Sequence, residues 1–156
     1  MSLRAKFDRI YESTKDALYS YALRVLRNEE DVLDVLQDTY VRLWKNIEKV
    51  EEERALYWLF RVCHNLMMDR FRRRKKTLDI DELEEILPSP HGIRGHSIED
   101  LVENLPPRYR EAILLRFNYS CSYKEIAQIM NTNENTAKTW VRRGIIMLRK
   151  IWKLQT

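Results

Sequence analysis

Apolar residues recur every three or four positions through most of the chain, and strand-like alternation is scarce. Phe7, Ile10, Tyr11, Leu18, Ala22, Val25 and Leu26 keep helical spacing, so residues 4–27 are predicted as one amphipathic helix with this stripe as core. Asn28 can cap a second helix, and Glu29, Glu30 and Asp31 suit the positive end of its dipole. Its inner stripe is Val32, Val35, Leu36, Thr39, Tyr40, Leu43 and Ile47. A polar break at residues 48–53 precedes a third helix from about Arg54 to Arg74. There Ala55, Trp58, Leu59, Val62, Leu66 and Asp69 form one stripe, with Tyr57, Arg61, His64 and Asn65 nearer the opposite side.

Towards the C-terminus the elements shorten. Ser97 and Asp100 can cap a helix carrying Ile98, Leu101, Val102 and Leu105, which Pro106 and Pro107 interrupt. Proline is tolerated in a first turn, so PRYREAILLRF reads as the next helix, with Ile113, Leu114 and Phe117 packing inward. Ser122 and Glu125 then form an S-x-x-E capping box. A short helix follows, its apolar face Ile126, Ala127 and Met130. Asn131, Thr132 and Asn133 favour local backbone hydrogen bonds and stop it. A longer helix runs from about Glu134 past Leu148. Ala137, Trp140, Val141, Gly144 and Leu148 lie on one side, and Lys138, Thr139, Arg142 and Arg149 on the other. A short helix, a tight turn and a longer helix with a basic face is the form in which a helix-turn-helix offers a recognition helix to the major groove. An ordinary helical hairpin would show the same apolar spacing.

Composition sharpens this picture. The chain has 156 residues, 44% of them hydrophobic, with four Trp and eight Tyr, enough for one ordinary domain or two small ones. Only three Gly and four Pro occur, which together with the helical spacing predicts an all-α fold. No apolar run reaches the length of a membrane span, and MSLRAKFDRIYES lacks the apolar core of a signal peptide. A cytoplasmic location without membrane insertion is expected. Cys63 and Cys121 give no disulfide framework.

Charge is segregated along the chain. Residues 1–76 carry 17 Lys and Arg against 13 Asp and Glu, residues 77–105 one Arg against eight acids, and residues 106–156 ten cations against three acids. Two basic ends separated by an acidic middle suggest two contacts with a polyanion. Residues 77–96 hold two of the four Pro, two of the three Gly and two of the three His, and read as a flexible acidic linker. Two small helical domains, at 1–76 and 97–156, are thereby expected.

Candidate chemistry is confined to binding. Asp31, Asp34 and Asp38 share an outer helical face. That spacing could serve a metal, but no matching second helix carries carboxylates or His, and a docking face for a basic partner fits better. The run Arg70, Arg72, Arg73, Arg74, Lys75, Lys76 exceeds what a helix C-terminus attracts through its dipole and suits phosphates. Trp58 and Phe60 beside it read as core rather than as platforms for unpaired bases. His91 and His96 do not make a zinc spacing, and no Ser-His-Asp pattern, phosphate loop or paired catalytic carboxylates occurs. No cofactor and no enzymatic activity are expected.

The order of motifs resembles the extracytoplasmic-function (group IV) sigma factors of bacterial RNA polymerase. LDVLQDTYVRLW at 33–44 and YWLFRVCHNLMMDRFRRR at 57–74 are similar to the family's first conserved block. ENLPPRYREAILLRF at 103–117 and SYKEIAQIMNTNENTAKTWVRRGIIMLR at 122–149 are similar to its second. The resemblance implies a first domain, sigma region 2, that binds the polymerase core and the promoter −10 element. It implies a second, region 4, that binds the −35 element and the polymerase flap. By position, Asp34, Gln37 and Asp38 would face the polymerase core. Arg61, Asn65, Arg70, Arg72, Arg73 and Arg74 would serve the −10 side, and residues 46–54 would capture a flipped base. Lys138, Thr139, Arg142 and Arg143 would lie in the −35 recognition helix. The implied partners are core RNA polymerase and promoter DNA, with an anti-sigma factor as a further candidate partner.

The chain departs from the family pattern at several positions. Leu33 stands where an acidic residue is usual, shifting core contacts towards Glu30 and Asp31. Cys63 replaces a small residue, and Ala137 replaces Val. Trp140 stands where Arg is common, either widening the local core or stacking on sugar edges. Ile145 and Ile146 create an apolar patch at positions that are often charged. The alternative function is a stand-alone helix-turn-helix regulator, which leaves the acidic stripe at Asp34 and Asp38 without a role.

Overall fold

The computed structural model describes residues 2–74 and 98–155. The predicted linker at 77–96, the Ser97 cap, and Lys75 and Lys76 lie outside the described residues. Every regular element among the described residues is helical, which makes the fold all-α. The chain divides into two compact units, Met1–Arg73 and Arg74–Thr156.

In the first unit, α1 spans Leu3–Leu26. It begins where the Ser2 hydroxyl accepts a hydrogen bond from the Ala5 amide at 3.1 Å. It ends where Arg27 takes a left-handed conformation, φ 57°, and its amide donates to the Leu23 carbonyl at 2.8 Å. Helix α2, Glu29–Lys45, starts at Asn28, whose side chain accepts from the Asp31 amide at 3.0 Å. A 3-10 turn at Glu52–Arg54 runs directly into α3, Ala55–Arg74. The intervening loop is tied to α1: the Lys6 ammonium donates to the Ile47 carbonyl at 2.7 Å, Arg9 pairs with Glu52 at 2.9 Å, and Val50 is buried.

The predicted core of α1 and α2 is largely in place, with Ile10, Leu18, Ala22, Val25, Leu26, Val32, Val35, Thr39, Leu43 and Ile47 buried. Helix α3 is rotated relative to the expected stripe. Ala55 and Leu59 are buried as predicted, but they are joined by Phe60, Cys63, His64 and Met67, while Trp58, Val62 and Leu66 are half-buried. The reason is Phe60. Its ring is fully buried and meets the buried ring of Tyr21 edge-to-face, with centroids 4.7 Å apart. Burying such a side chain contributes about 1.5–3 kcal/mol, and the ring pair adds about 0.5–1.5 kcal/mol. That preference turns the helix so that His64 points inward.

In the second unit, α4 spans Ile98–Val102 and α5 spans Pro107–Ile113. The Arg110 guanidinium is buried and donates to the Glu103 and Leu105 carbonyls, both at 3.0 Å, fastening α5 to the end of α4. The predicted helix continuing through Phe117 is instead a wider π turn at Leu114–Asn118. There the Tyr119 amide bonds the Leu114 carbonyl at 3.3 Å. Leu114 is buried, but Phe117 is 59% exposed, a correction to its expected inward packing. Ser120 then takes φ 54° and releases the chain into α6, Tyr123–Ile129. Helix α7 spans Glu134–Gln155 and packs on α5 and α6. Gly144 makes the α5 contact close: a Cβ there would lie 2.8 Å from Ile113 Cγ1.

Candidate functional site

Two surfaces gather the residues singled out in the sequence, one in each unit. In the second unit, the capping box is complete: the Glu125 amide donates to Ser122 Oγ at 3.1 Å, and the Ser122 amide to Glu125 Oε1 at 2.8 Å. Asn131 turns the chain with φ 54°, a conformation Asn tolerates well. Asn133 then caps α7 by accepting from the Thr136 amide at 2.8 Å. Ile126, Ala127, Ile129 and Met130 are buried on α6 and Ala137 and Val141 on α7, and the two helices pack on each other. The tight polar turn therefore fixes how α7 leaves α6.

This leaves one long face of α7 to solvent. Lys138, Arg142 and Arg143 are exposed and Thr139 is half-buried. Thr139 Oγ1 donates to the Asn135 carbonyl at 3.0 Å. With its proton so placed, the hydroxyl offers acceptor lone pairs, and its methyl group is the only other contact it can make outward. A concavity of about 460 Å³ beside this face is lined by Tyr123, Asn135, Lys138, Thr139 and Arg142. Trp140 sits at the edge of the face. It is half-buried and the Arg108 guanidinium lies over its ring, 5.0 Å from the centroid. The position where the family pattern has a cation thus carries an aromatic ring with a cation from α5 upon it.

In the first unit, Asp34, Gln37 and Asp38 are exposed along α2, while Asp31 is half-buried. Arg70 reaches across from α3 and sits 3.5 Å from both Asp31 and Asp34. The basic run is therefore not one surface. Arg61, Asn65 and Arg72 recur at four and seven residues and share a face of α3, whereas Arg70 is on the side turned towards α2. Arg72 pairs with Asp69 on its own helix, and Arg73 and Arg74 are exposed.

Beside the acidic stripe lies a feature missed in the sequence. A groove of about 610 Å³ runs between α1 and α2, lined by Phe7, Tyr11, Leu33, Gln37, Tyr40 and Trp44 among others. Phe7 stacks at 6.4 Å on Tyr11 and meets Trp44 edge-on at 5.6 Å, and Tyr11 meets Tyr40 at 4.9 Å. Tyr40 donates its hydroxyl proton to Thr14 at 2.9 Å, because the Thr14 proton already goes to the Ile10 carbonyl at 2.6 Å. Burial pushes the Tyr40 hydroxyl up to about 12. Leu33 is 56% exposed, Trp44 47% and Val41 46%. These side chains present apolar surface to solvent along α2 beside the groove. The signal was present: Leu33, Gln37, Val41 and Trp44 recur at four, eight and eleven along α2, off the inner stripe. Phe7 and Tyr11 carry the right spacing for core but form the groove wall.

A second, smaller groove of about 300 Å³ is lined by Leu101, Ile145, Leu148, Arg149, Trp152 and Lys153. It includes the expected patch at Ile145, with Ile146 44% exposed beside it. Among the described residues no cluster of His, Cys, Asp and Glu could hold a metal ion, and no helix is long and apolar enough to cross a membrane. Both cysteines are buried, and burial pushes the Cys121 thiol up to about 12, an unreactive environment.

Comparison with known proteins agrees with both halves of this geometry. The Sigma-70 region 2 family profile matches residues 10–77 and the Sigma-70 region 4 profile matches residues 95–148. The chain is 28% identical over 163 residues to the ECF RNA polymerase sigma factor SigW of Bacillus subtilis, covering 92% of this chain and 87% of the relative. It is 27% identical over 153 residues to SigM of the same organism, covering 93% and 94%. Its fold is similar to that of the sigma factor RpoE from Bartonella quintana, solved in complex with the anti-sigma factor NepR: TM-score 0.73, 22% identity, 96% of this chain and 98% of that one. CnrH, solved with the cytosolic domain of CnrY, gives a TM-score of 0.68 at 25% identity over 99% of this chain and 92% of that one. With two Sigma-70 profiles in the expected order on an all-α chain, the protein belongs to the extracytoplasmic-function sigma factors of the sigma-70 family and is an RNA polymerase sigma factor.

Proposed function

We propose that residues 1–76 dock on core RNA polymerase and bind the −10 element, that 77–96 link them to 97–156, and that the latter bind the −35 element. The protein acts in the cytoplasm and without catalysis of its own, lending sequence specificity to the enzyme that performs the chemistry. The observation that carries this reading is the pairing, in one chain, of an aromatic groove between α1 and α2, on the helix that also exposes Asp34 and Asp38, with a capped helix-turn-helix whose long helix bears a cationic face.

The core-binding surface in this reading is wider than three polar residues. Asp34 and Asp38 are exposed on α2 alongside Gln37, which lines the groove, and the groove of Phe7, Tyr11, Leu33, Tyr40 and Trp44 receives an apolar side chain of the partner. Charge on α2 speeds encounter, and the buried apolar contact holds the complex. An anti-sigma factor that covered this groove would compete with core.

On DNA, Lys138, Thr139, Arg142 and Arg143 enter the −35 major groove. The arginines suit guanine edges, and Thr139, with its proton held by Asn135, suits a thymine methyl or an amino donor of adenine or cytosine. Arg61, Asn65, Arg70, Arg72, Arg73 and Arg74 serve the −10 side, where preferential binding of unpaired bases shifts the duplex towards the melted form by the difference in affinity. Transcription in vitro with core polymerase on a promoter library tests the whole reading. Initiation at a defined subset sharing a −35 and a −10 sequence is expected. Transcripts no different from those of core alone would refute it.

A further inference from the structure

The first turn of α7 carries a side chain that the helix itself does not employ. Asn133 caps the helix by accepting from the Thr136 amide at 2.8 Å, so Asn135, two residues on, has no capping role. Asn is also a poor helix former, because its side chain competes for backbone hydrogen bonds. Yet Asn135 is exposed, and its carboxamide makes no hydrogen bond to any described residue. Its backbone carbonyl, by contrast, accepts the Thr139 hydroxyl proton at 3.0 Å.

The position of this carboxamide gives it something else to meet. Lys138, Thr139 and Arg142 follow Asn135 at three, four and seven residues, which puts all four on one face of α7. All four line the same concavity. Among them only Asn135 presents a free donor beside a free acceptor. Lysine and arginine donate alone, and the Thr139 proton is already committed. In the major groove adenine shows an N7 acceptor beside an N6 donor, which a carboxamide matches with two hydrogen bonds. Guanine shows two acceptors there, and its O6 would meet the amide oxygen. The N-terminal residues of a recognition helix are the ones that reach base edges. A helix rises about 1.5 Å per residue and bases step by about 3.4 Å, so Thr139 is about two base steps from Asn135 and Arg142 about three.

We propose that Asn135 is a further specificity-determining residue, whose carboxamide reads one adenine of the −35 element. This adenine lies about two base pairs from the one that Thr139 meets and about three from the one that Arg142 meets. The proposal rests on the reading of α7 as the −35 recognition helix.

The test is transcription by holoenzyme, reconstituted from core polymerase and the full chain, on a promoter library randomised across the −35 element. The parent is expected to select adenine at one position, and Asn135→Ala to lose that selection by about five- to 150-fold while keeping the preferences elsewhere. Asn135→Asp keeps the shape and suits a first helical turn. It is expected to give up adenine at the same position and to favour cytosine, whose N4 donates to a carboxylate. A purely structural Asn135 would switch no base. Arg142→Ala is expected to relax a different position. Adenine selection retained in Asn135→Ala or in Asn135→Asp overturns the assignment. A loss spread evenly over all positions overturns it too, as does a change at a position where the parent prefers another base. A parent with no base preference anywhere in the −35 element overturns the reading of α7 itself, and Asn135 with it.

Discussion

Gly144→Ala separates two opposed effects whose balance the structure decides. Gly144 is in the interior of α7, where Ala is favoured over Gly by about 0.8–1.0 kcal/mol. On helix propensity alone the substitution would stabilise. But the added Cβ would lie 2.8 Å from Ile113 Cγ1 and 3.1 Å from its Cδ1. Ile113 is 3% exposed, and a β-branched side chain on a helix has one strongly preferred χ1, so it cannot simply swing aside. Overpacking of this kind costs about 1–3 kcal/mol, leaving a net loss of about 1 kcal/mol. The same clash pushes α7 away from α5, so promoter-directed transcription should fall as well. The assay is urea unfolding followed by tryptophan fluorescence, with a double-mutant cycle. Ile113→Ala alone should cost about 2–5 kcal/mol. In the Ile113→Ala background both clashing atoms are gone, and Gly144→Ala should become stabilising, giving a coupling of about 1–3 kcal/mol. A single Gly144→Ala variant that is more stable than the parent by about 1 kcal/mol would refute the close approach.

Two charge reversals on α2 should behave differently although the sequence makes them equivalent. Asp38→Lys should weaken core polymerase binding and leave stability within about 0.5 kcal/mol of the parent. Asp34→Lys should also weaken core binding, but it removes the pairing with Arg70 and sets two cations side by side, at a cost of about 0.5–1 kcal/mol for a pair this exposed; equal unfolding midpoints would argue against the pair. Alkaline pH should reveal the buried acids: the folded-state values of Tyr40 and Cys121 are raised, so their stabilisation is full below the unfolded values of about 10 and 9 and is lost as pH rises towards 12. Unfolding measured across that range should show Cys121→Ala lessening the loss, and iodoacetamide at neutral pH should label Cys121 only after denaturation.

The helix boundaries were legible because caps are local chemistry. Asn28, Ser122 with Glu125, and the Asn131–Asn133 turn each bond their own neighbours, so residue type alone nearly determines the outcome. The phase of α3 was not legible. Tyr57, Trp58, Leu59, Phe60, Val62, Cys63, Leu66, Met67 and Met68 are apolar almost all round the helix, and tertiary contacts such as the Tyr21–Phe60 ring pair select the face that turns inward. The π turn leaves no mark in composition, since it differs from an α turn by one residue in the ring of a hydrogen bond. The aromatic groove was misread for a related reason. Periodicity shows that Phe7 and Tyr11 share a face, but not whether this chain or another molecule covers it.

Arg70 has a consequence for how the two faces of the first unit communicate. Its guanidinium serves Asp31 and Asp34 in the free chain. On the proposed assignments, Asp34 is wanted by polymerase and Arg70 by promoter phosphates. A cation arriving at Asp34 loosens its hold on Arg70, and a phosphate arriving at Arg70 bares Asp34. Linkage requires the two effects to be equal, so each ligand improves the affinity of the other by the same factor. For a pair this exposed the factor is about two to five. If those proposed assignments hold, a chain alone in solution is by this amount the poorer DNA binder, and recruitment to polymerase raises its grip on the promoter without any change of fold.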